Sequence, residues 1–393
     1  MALSERVRNR WSDGRIVHQA ERIADPVEKL HFLRHAMKGR EQAPRRPVWK
    51  RLMLAASVIA GFFFLLPPPS VVSDAVTVEH YASLPAQGLS RMPQKSSDVW
   101  LVEDGRVHET YSNGLRIDNS FLVENEPRFY QVLDRRHDLQ PSIDWRSLPV
   151  GIVFHSTESS IGPFSADQNE NLKRVAQSLL KSLRENRSYN FVIDRFGRVF
   201  RVVSEDQVAN HAGNSVWADD DLVYLNLNSS FIGVAFEAQS GPGVPVTVNP
   251  AQIYAARVLT EMLRSKFKIR AENCVTHAQV SVNPSNLRVG YHTDWAAGFP
   301  FAAIGLRNNY DLPVPSLSDF GFEYDTLFRK TMGNELWRGI GLAEQQFVRE
   351  AVHDGRSLGE HRRILQDRYR RLYSALKLTG ALEEHFDATN STQ

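Results

Sequence analysis

A short run without polar side chains, Val150–Phe154, most constrains how this chain can fold, because it is typical of a strand that is buried on both faces. His155 follows the run directly, so we expect this strand to deliver an imidazole at its carboxyl end. A second short run, Cys274–Thr276, ends in the same way at His277. The sequence therefore predicts two histidines held at the ends of strands.

Asp294, in the segment Tyr291–Asp294, adds a carboxylate to these two histidines. Two imidazoles and a carboxylate are a ligand set of catalytic zinc sites, which leave the fourth position to water. Histidines this far apart carry no spacing signature, and a histidine at a strand end is also common as a hydrogen-bonded core residue. The residue types alone leave both interpretations open.

The order of the surrounding segments favours the metal site. The segments are Ile152–Thr157, Ser188–Val199, Asn210–Ser215, Phe231–Glu237, Thr276–His277 and His292–Asp294. In this order they resemble the zinc N-acetylmuramoyl-L-alanine amidases of type 2, a superfamily that includes the peptidoglycan recognition proteins. The resemblance covers about residues 146–305. It implies a central mixed sheet flanked by helices, with Zn²⁺ held by His155, His277 and Asp294 in a groove for peptidoglycan stem peptides.

The hydrophobic pattern of the same region predicts an α/β (α+β) domain without reference to the family. Residues 168–187 carry apolar side chains at helical spacing, which indicates an amphipathic helix. Asn249 followed by Pro250 is typical of a capped helix start, and we expect that helix to run to about Ser265. Residues 189–193 and 198–203 are predicted strands joined by a turn that contains Gly197. Strands that alternate with helices favour this fold class.

The sequence departs from the resembling family at the position of its usual base. Amidases of this type often carry a glutamate where this chain has Ala235, and the second carboxylate of that motif remains as Glu237. Residues two apart on a strand share a face, so Glu237 points the same way as Ala235 but lies about 6.6 Å further along. Glu237 is therefore either the catalytic base or a residue that orients a ligand histidine.

His292 marks a second departure, because many family members carry a lysine there that stabilises the oxyanion. Three alternatives are open for His292: work on the oxyanion or in proton transfer, a fourth ligand that would close the metal site, or a plain hydrogen-bonding residue. The resemblance gives Tyr189 a supporting place near the metal. It places His211 and Asn214 in the substrate groove, and Arg288 is a candidate partner for a stem-peptide carboxylate.

The charge is distributed unevenly, although the whole chain carries only +2. Residues 1–51 hold 13 Lys or Arg against 6 Asp or Glu, and the uncharged segment 52–66 follows. Because no Lys or Arg occurs between Pro67 and Ser90, the positive-inside rule predicts a cytoplasmic amino terminus and an exported remainder. Fifteen helical residues span about 22 Å of a core of about 30 Å, so the predicted anchor is extended to residues 52–72. A cleaved signal peptide and a buried helix are the alternatives.

The domain organisation that follows has five parts. They are a basic cytoplasmic segment (1–51), a transmembrane helix (52–72), a linker with a small β module (73–145), a zinc amidase domain (146–305), and a C-terminal helical extension with a disordered tail (306–393). An amphipathic helix over residues 360–377 needs a partner surface, so we expect it to pack on the domain and not on nucleic acid. The single cysteine, Cys274, excludes an intrachain disulfide.

These observations predict a zinc amidase on the outer side of a bacterial inner membrane, single-pass, acting on the bond between N-acetylmuramic acid and L-alanine in peptidoglycan or muropeptides. A peptidoglycan-binding protein of the same fold that has lost turnover is the first alternative. A scaffold that only tethers a partner to the wall is the second. Retention of all three ligands favours the enzyme, since a receptor has little need of a metal.

Overall fold

The computed structural model describes residues 98–378, except 136–138, 143, 160, 240–245, 325–327 and 330–333, and it leaves out the side chains of 334–337. The strands are β1 (Leu101–Asp104), β2 (His108–Tyr111), β3 (Arg116–Asp118), β4 (Leu133–Asp134), β5 (Gln140–Pro141), β6 (Gly151–Ser156), β7 (Phe191–Ile193), β8 (Val199–Arg201), β9 (Val216–Ala218), β10 (Leu222–Leu225), β11 (Phe231–Phe236), β12 (Cys274–Thr276), β13 (Val282–Asn283), β14 (Arg288–Val289) and β15 (Glu323–Tyr324). The helices are α1 (Asn169–Glu185), α2 (Leu227–Ser230), α3 (Pro250–Phe267), α4 (His277–Val280), α5 (Pro315–Ser318), α6 (Asn334–His353) and α7 (Leu358–Leu378).

The main sheet has the order β1-β2-β3-β8-β7-β11-β6-β12. Strands β7, β11, β6 and β12 run parallel to one another, whereas β8 is antiparallel to β7 and β3 is parallel to β8. All residues of β6 and β11 are buried, as parallel strands covered on both faces should be. A mixed α/β fold with a central mixed sheet is thereby confirmed. Smaller sheets, β5-β4-β10-β9 and β13-β14-β15, lie beside it.

Two long helices cover opposite faces of this sheet. On one face Leu180 of α1 packs with Val192 and Ala235. On the other, Met262 of α3 belongs to the cluster that contains Val234. Because successive residues of a strand point to opposite faces, Ala235 and Val234 separate the two sides. The face covered by α1 is the one that carries the candidate site.

The start of α3 agrees with the sequence prediction. The side chain of Asn249 accepts a hydrogen bond from the Gln252 N–H (3.0 Å), and the Gln252 side chain accepts one from the Asn249 N–H (3.3 Å). This reciprocal pair satisfies two of the backbone donors that a helix start leaves open, and Pro250 occupies the first turn.

Strands β1, β2 and β3, predicted as a small β module, continue the main sheet. Ile117 of β3 pairs with Val199 of β8 in parallel register. The Arg201 guanidinium on β8 reaches across to Glu109 on β2 (Nη2–Oε2 2.8 Å) and also pairs with Glu205. These residues therefore extend the main sheet, and the domain boundaries at 145 and 305 stay predictions.

The C-terminal amphipathic helix packs on the rest of the protein, as its apolar stripe predicts. In α7 the buried side chains include Leu365, Tyr369 and Leu376, and the Tyr369 ring meets Phe322 edge to face at 4.8 Å. The basic segment 1–51, the anchor 52–72 and the tail 387–393 lie outside the described residues. Within the part of the chain that the structure describes, no helix combines the length and apolar character needed to cross a bilayer.

Candidate metal centre

The three predicted ligands come together at the carboxyl ends of two paired strands. His155 lies in β6, and His277 begins α4 directly after β12, the neighbour of β6 in the sheet. Asp294 reaches them from a later loop. One candidate ligand atom from each of the three lies within 4.8 Å of the others, and all three residues are buried.

The Asp294 carboxylate lies between the two imidazoles. Its Oδ1 is 2.8 Å from Nδ1 of His277, and its Oδ2 is 3.3 Å from Nδ1 of His155. Ligand atoms around a tetrahedral Zn²⁺ lie about 3.3 Å apart, given metal–ligand distances of about 2.0–2.1 Å. These residues therefore lie close enough together to share one ion, and their donor set of two nitrogens and an oxygen suits zinc.

The protonation states also suit a metal. Burial, followed by the nearby His277, lowers the pKa of His155 to about 4, so its imidazole is neutral at pH 7. Burial would raise the pKa of Asp294, but the two histidines outweigh it and hold this pKa well below its usual range. Neutral imidazole and ionised carboxylate are the forms that bind metal, since a bound proton would have to leave first.

Trp295, which sequence reasoning missed, joins the loop of Asp294 to β6. Its indole Nε1–H donates to the backbone oxygen of His155 (2.9 Å), and its own backbone oxygen accepts from the Tyr310 hydroxyl. Trp295 adopts φ +55°, a conformation that costs a non-glycine residue free energy. A single buried side chain thus connects the segments that carry two of the candidate ligands. The only sign of this role in the sequence is that a tryptophan directly follows Asp294.

His277 is held by a second set of polar contacts. The Gln279 side chain accepts from the Thr276 backbone N–H (3.0 Å) and donates to the backbone oxygen of Asn309 (2.9 Å). The Asn309 side chain in turn donates to the backbone oxygen of Cys274 (2.8 Å). Because Asn309 lies beyond the predicted amidase domain, the C-terminal extension takes part in fixing this ligand.

His292 stacks on the ligand histidine His277, with ring centroids 4.5 Å apart and planes inclined by 19°. Its backbone N–H donates to the Ser281 hydroxyl (3.0 Å), and its Nε2 is buried without a hydrogen-bond partner among the described residues. Burial, followed by His277, lowers the pKa of His292 to about 3. A neutral ring at pH 7 is compatible with a hydrogen-bond donor or a ligand, and not with a cation.

Glu237 and Tyr189 occupy different surroundings on the same face of the sheet. The Glu237 Oε2 accepts from the backbone N–H of Arg195 (3.1 Å), and burial raises the pKa of this carboxyl. No described hydrogen bond or ion pair joins Glu237 to the three ligands. The Tyr189 ring lies 5.0 Å from the His155 ring, and Tyr189 adopts φ +60° at the start of β7. Tyr189 is thus close to the ligands, whereas Glu237 is further along the sheet.

The three predicted substrate-binding residues lie in different surroundings. His211 is only 5% exposed, and its Nδ1 lies 3.1 Å from Nε2 of His155. Asn214 is half-buried, and its backbone oxygen accepts from the Val282 N–H (2.9 Å). Arg288 is exposed on β14. The structure brings His211 to the metal ligands, and contact of all three with substrate stays a prediction.

Buried Arg128, also unpredicted, supports the site from beneath. Its guanidinium donates to the backbone oxygens of Asn228, Ser229 and Phe231 (2.9–3.0 Å) and of Glu205 (2.6 Å), and to the side chain of Asn190 (3.1 Å). These bonds fix the start of β11, which lies beside β6. Nothing in the sequence near Arg128 indicates this role, because all its partners are distant along the chain.

Comparison with known proteins finds a family match and similar solved structures. Residues 145–294 match the family model of N-acetylmuramoyl-L-alanine amidases. No curated protein matches the chain. Similar solved structures include the amidase LysC of Clostridium intestinale URNW, 20% identical over 47% of this chain and 93% of that chain, with a TM-score of 0.25. AmiD of E. coli, solved with an anhydro-N-acetylmuramic acid peptide as substrate, is 23% identical over 38% and 57% of the two chains, with a TM-score of 0.27.

A peptidoglycan recognition protein, PGRP-LB of Drosophila, is also similar, with 11% identity over 41% of this chain and 85% of that chain and a TM-score of 0.26. The family match covers each of the three candidate ligands, His155, His277 and Asp294. Residues 145–294 of this chain are therefore similar to the N-acetylmuramoyl-L-alanine amidases over the region that holds the three candidate ligands.

Proposed function

We propose that this protein is a zinc-dependent amidase that hydrolyses the bond between N-acetylmuramic acid and L-alanine in peptidoglycan or muropeptides. The observation that carries the proposal is the buried group of His155, His277 and Asp294, within the region that matches the amidase family model. A buried carboxylate between two buried imidazoles offers one oxygen and two nitrogens to a metal ion.

A zinc ion held by these residues would polarise the scissile carbonyl and lower the pKa of a water molecule. The chain itself contributes rigid positions for the ligands. Trp295 fixes His155 to the Asp294 loop, and Gln279 fixes the start of α4 that carries His277. Ligands held in this way need little rearrangement when substrate binds, which is how a preorganised site lowers a reaction barrier.

Proton transfer is assigned to Glu237 and hydrogen bonding of the developing oxyanion to His292. Burial raises the pKa of Glu237, which suits a group that takes up a proton and returns it. The buried Nε2 of His292 has no partner among the described residues, so it is available to donate to substrate. Tyr189, beside His155, would support the same oxygen.

The alternative function is peptidoglycan binding without turnover. The specific observation in its favour is Ala235, which lies beside His155 in the sheet where related amidases often carry a glutamate. Recognition of stem peptides, for which Asn214 and Arg288 are candidates, is common to both proposals. Binding and hydrolysis are therefore the outcomes that an experiment must separate.

The location we propose, from the sequence alone, is a bacterial inner membrane, with residues 1–51 in the cytoplasm and the amidase domain outside. The charge asymmetry around residues 52–72 supports this orientation. Peptidoglycan lies on that side of the membrane, so the location and the substrate agree.

The test is turnover of a defined muropeptide by the purified full-length protein in detergent. An amidase releases the free stem peptide and the free sugar, and the His155→Ala, Asp294→Ala double variant does not. A protein that binds the muropeptide and leaves it intact at every protein concentration supports the binding alternative instead.

A further inference from the structure

His155 and His211 form a hydrogen-bonded pair that ends on a backbone oxygen. Nε2 of His155 lies 3.1 Å from Nδ1 of His211, and Nε2 of His211 lies 3.3 Å from the backbone oxygen of Phe231. The two rings meet edge to face, with centroids 5.2 Å apart and planes at 84°. Both side chains are buried, so solvent does not compete for these bonds.

The donor and acceptor capacities of the groups determine which atom donates in each of these two hydrogen bonds. A backbone oxygen only accepts, so Nε2 of His211 carries the hydrogen and, in the neutral ring, Nδ1 accepts. Nε2 of His155 must then donate to it, which leaves Nδ1 of His155 with a lone pair. That lone pair points at Oδ2 of Asp294, 3.3 Å away, and Oδ2 is itself an acceptor. Two acceptors facing each other at this distance repel unless a metal ion or a proton lies between them.

The ring of His211 is locked in place from several sides. The Asn228 side chain accepts from the backbone N–H groups of His211 (2.9 Å) and Ala212 (2.6 Å). A Cβ at Gly233 would lie 2.6 Å from Cγ of His211, so the ring lies flat against a position that tolerates no side chain. The Phe231 oxygen is itself fixed by Arg128 (2.9 Å). The acceptor that orients His211 is therefore as rigid as the strand that carries it.

We propose that His211 is a positioning residue that orients His155 with its Nδ1 lone pair toward Asp294, and that it thereby sets the affinity of the site for Zn²⁺. Its role is to act through His155 and not to contact substrate. Outer partners of ligand histidines have this effect in metal sites, where their loss commonly costs about 10–100-fold in affinity or activity. This inference rests on the proposed metal site.

The test compares His211→Ala with His211→Asn in the full-length protein, by competition for Zn²⁺ with a chelator of known affinity. His211→Ala removes the acceptor, and we expect the Kd for Zn²⁺ to rise about 10–100-fold. His211→Asn places an amide oxygen near the position of Nδ1, and we expect a Kd within about threefold of wild type, as for one partly restored bond. His361→Ala, which removes a buried histidine in the distant α7, is the matched control and should leave the Kd unchanged.

Three results would overturn the inference. An unchanged Kd in a folded His211→Ala variant, accompanied by a raised KM for muropeptide, would make His211 a substrate contact. Wild type that binds no Zn²⁺ would overturn this inference together with the proposed metal site. If His211→Ala fails to fold, nitrogen-15 spectra of zinc-loaded wild type decide: we expect hydrogen on Nε2 of both His155 and His211, and the opposite tautomer of His211 would reject the proposed direction.

Discussion

Ala235 on β11 pairs with His155 on β6 in parallel register, so its side chain lies on the same face of the sheet as this candidate metal ligand. This is the position where related amidases often carry a glutamate. Glu237, two residues further along the same face, bonds to the Arg195 backbone instead of to a ligand. Whether this chain hydrolyses its substrate depends on whether Glu237 can serve as the base from this position.

Glu237→Gln tests this directly, because glutamine can still accept from the Arg195 N–H but cannot take up a proton. If Glu237 is the base, kcat should fall about 10²–10⁴-fold, while Zn²⁺ binding is unchanged. The carboxylate is the working form and burial raises its pKa, so wild-type kcat/KM should fall as pH falls through that raised value. The variant should lack this acidic limb.

A Glu237→Gln variant within threefold of wild type, with the acidic limb intact, would show that Glu237 only holds the turn at Arg195. In that case Ala235→Glu, which restores the family's commoner residue beside His155, is expected to raise the rate.

His292→Phe tests the proposed donor to the oxyanion. Phenylalanine can keep the stack on His277 but has no N–H, so kcat should fall about 10²–10³-fold, the range measured for loss of one oxyanion donor. The zinc content should stay that of wild type, since His292 is not assigned as a ligand. Loss of zinc from His292→Phe would instead identify His292 as a fourth ligand, and an unchanged kcat would leave it without a catalytic role.

Glu109→Gln tests whether the ion pair between Glu109 and Arg201 stabilises the packing of β1–β3 on the main sheet. Burial would raise the pKa of Glu109, but Arg201 outweighs it and lowers this pKa to about 2. A pKa lowered in the folded state stabilises that state above the ordinary value of 4.5, and the contribution is lost as pH falls from there to about 2. Glu109→Gln should therefore lower the free energy of unfolding by about 1–3 kcal/mol at pH 7. The difference from wild type should shrink below pH 4.

Glu103→Gln is the control for this measurement, because Glu103 is exposed on the neighbouring strand β1. Denaturant unfolding of both variants at several pH values gives the comparison. A loss in Glu109→Gln that does not depend on pH would rule out the charge pair as its cause.

The anchor prediction concerns topology. With 13 basic residues before the uncharged segment and none between Pro67 and Ser90, residues beyond about 72 should be exported. A reporter fused at about residue 80 should therefore show exported activity, and the protein should stay in the membrane fraction after a salt wash. A cytoplasmic reporter signal, or release by salt, would contradict the proposed location.

The central elements could be predicted from local signals in the sequence, whereas the grouping of His155, His277 and Asp294 was predicted from the resemblance to a family. Apolar runs that end in histidine predict strand ends, and Asn249–Pro250 predicts the start of α3. The sequence did not predict the contacts that support the candidate ligands. Arg128, Trp295 and Asn309 bind backbone oxygens of residues that are distant along the chain. Every residue has a backbone oxygen, so no residue type in the sequence marks these acceptors.

The contacts of His211 could not be predicted from the sequence either. The resemblance placed it in the substrate groove, whereas its direction toward His155 depends on which backbone oxygen lies behind it. The joining of β3 to β8 is a further example, because pairing partners of short strands are set by the packed sheet and not by their own pattern.

The most direct test of the central claim is the mass of the products formed from a defined muropeptide by the full-length protein, before and after removal of metal. The zinc-loaded protein should yield free stem peptide and free sugar, whose masses add to that of the substrate plus one water. Chelation should stop the reaction, and added Zn²⁺ should restore it in wild type but not in the His155→Ala, Asp294→Ala double variant. Zinc-loaded wild type that binds the muropeptide and leaves it intact would contradict the account.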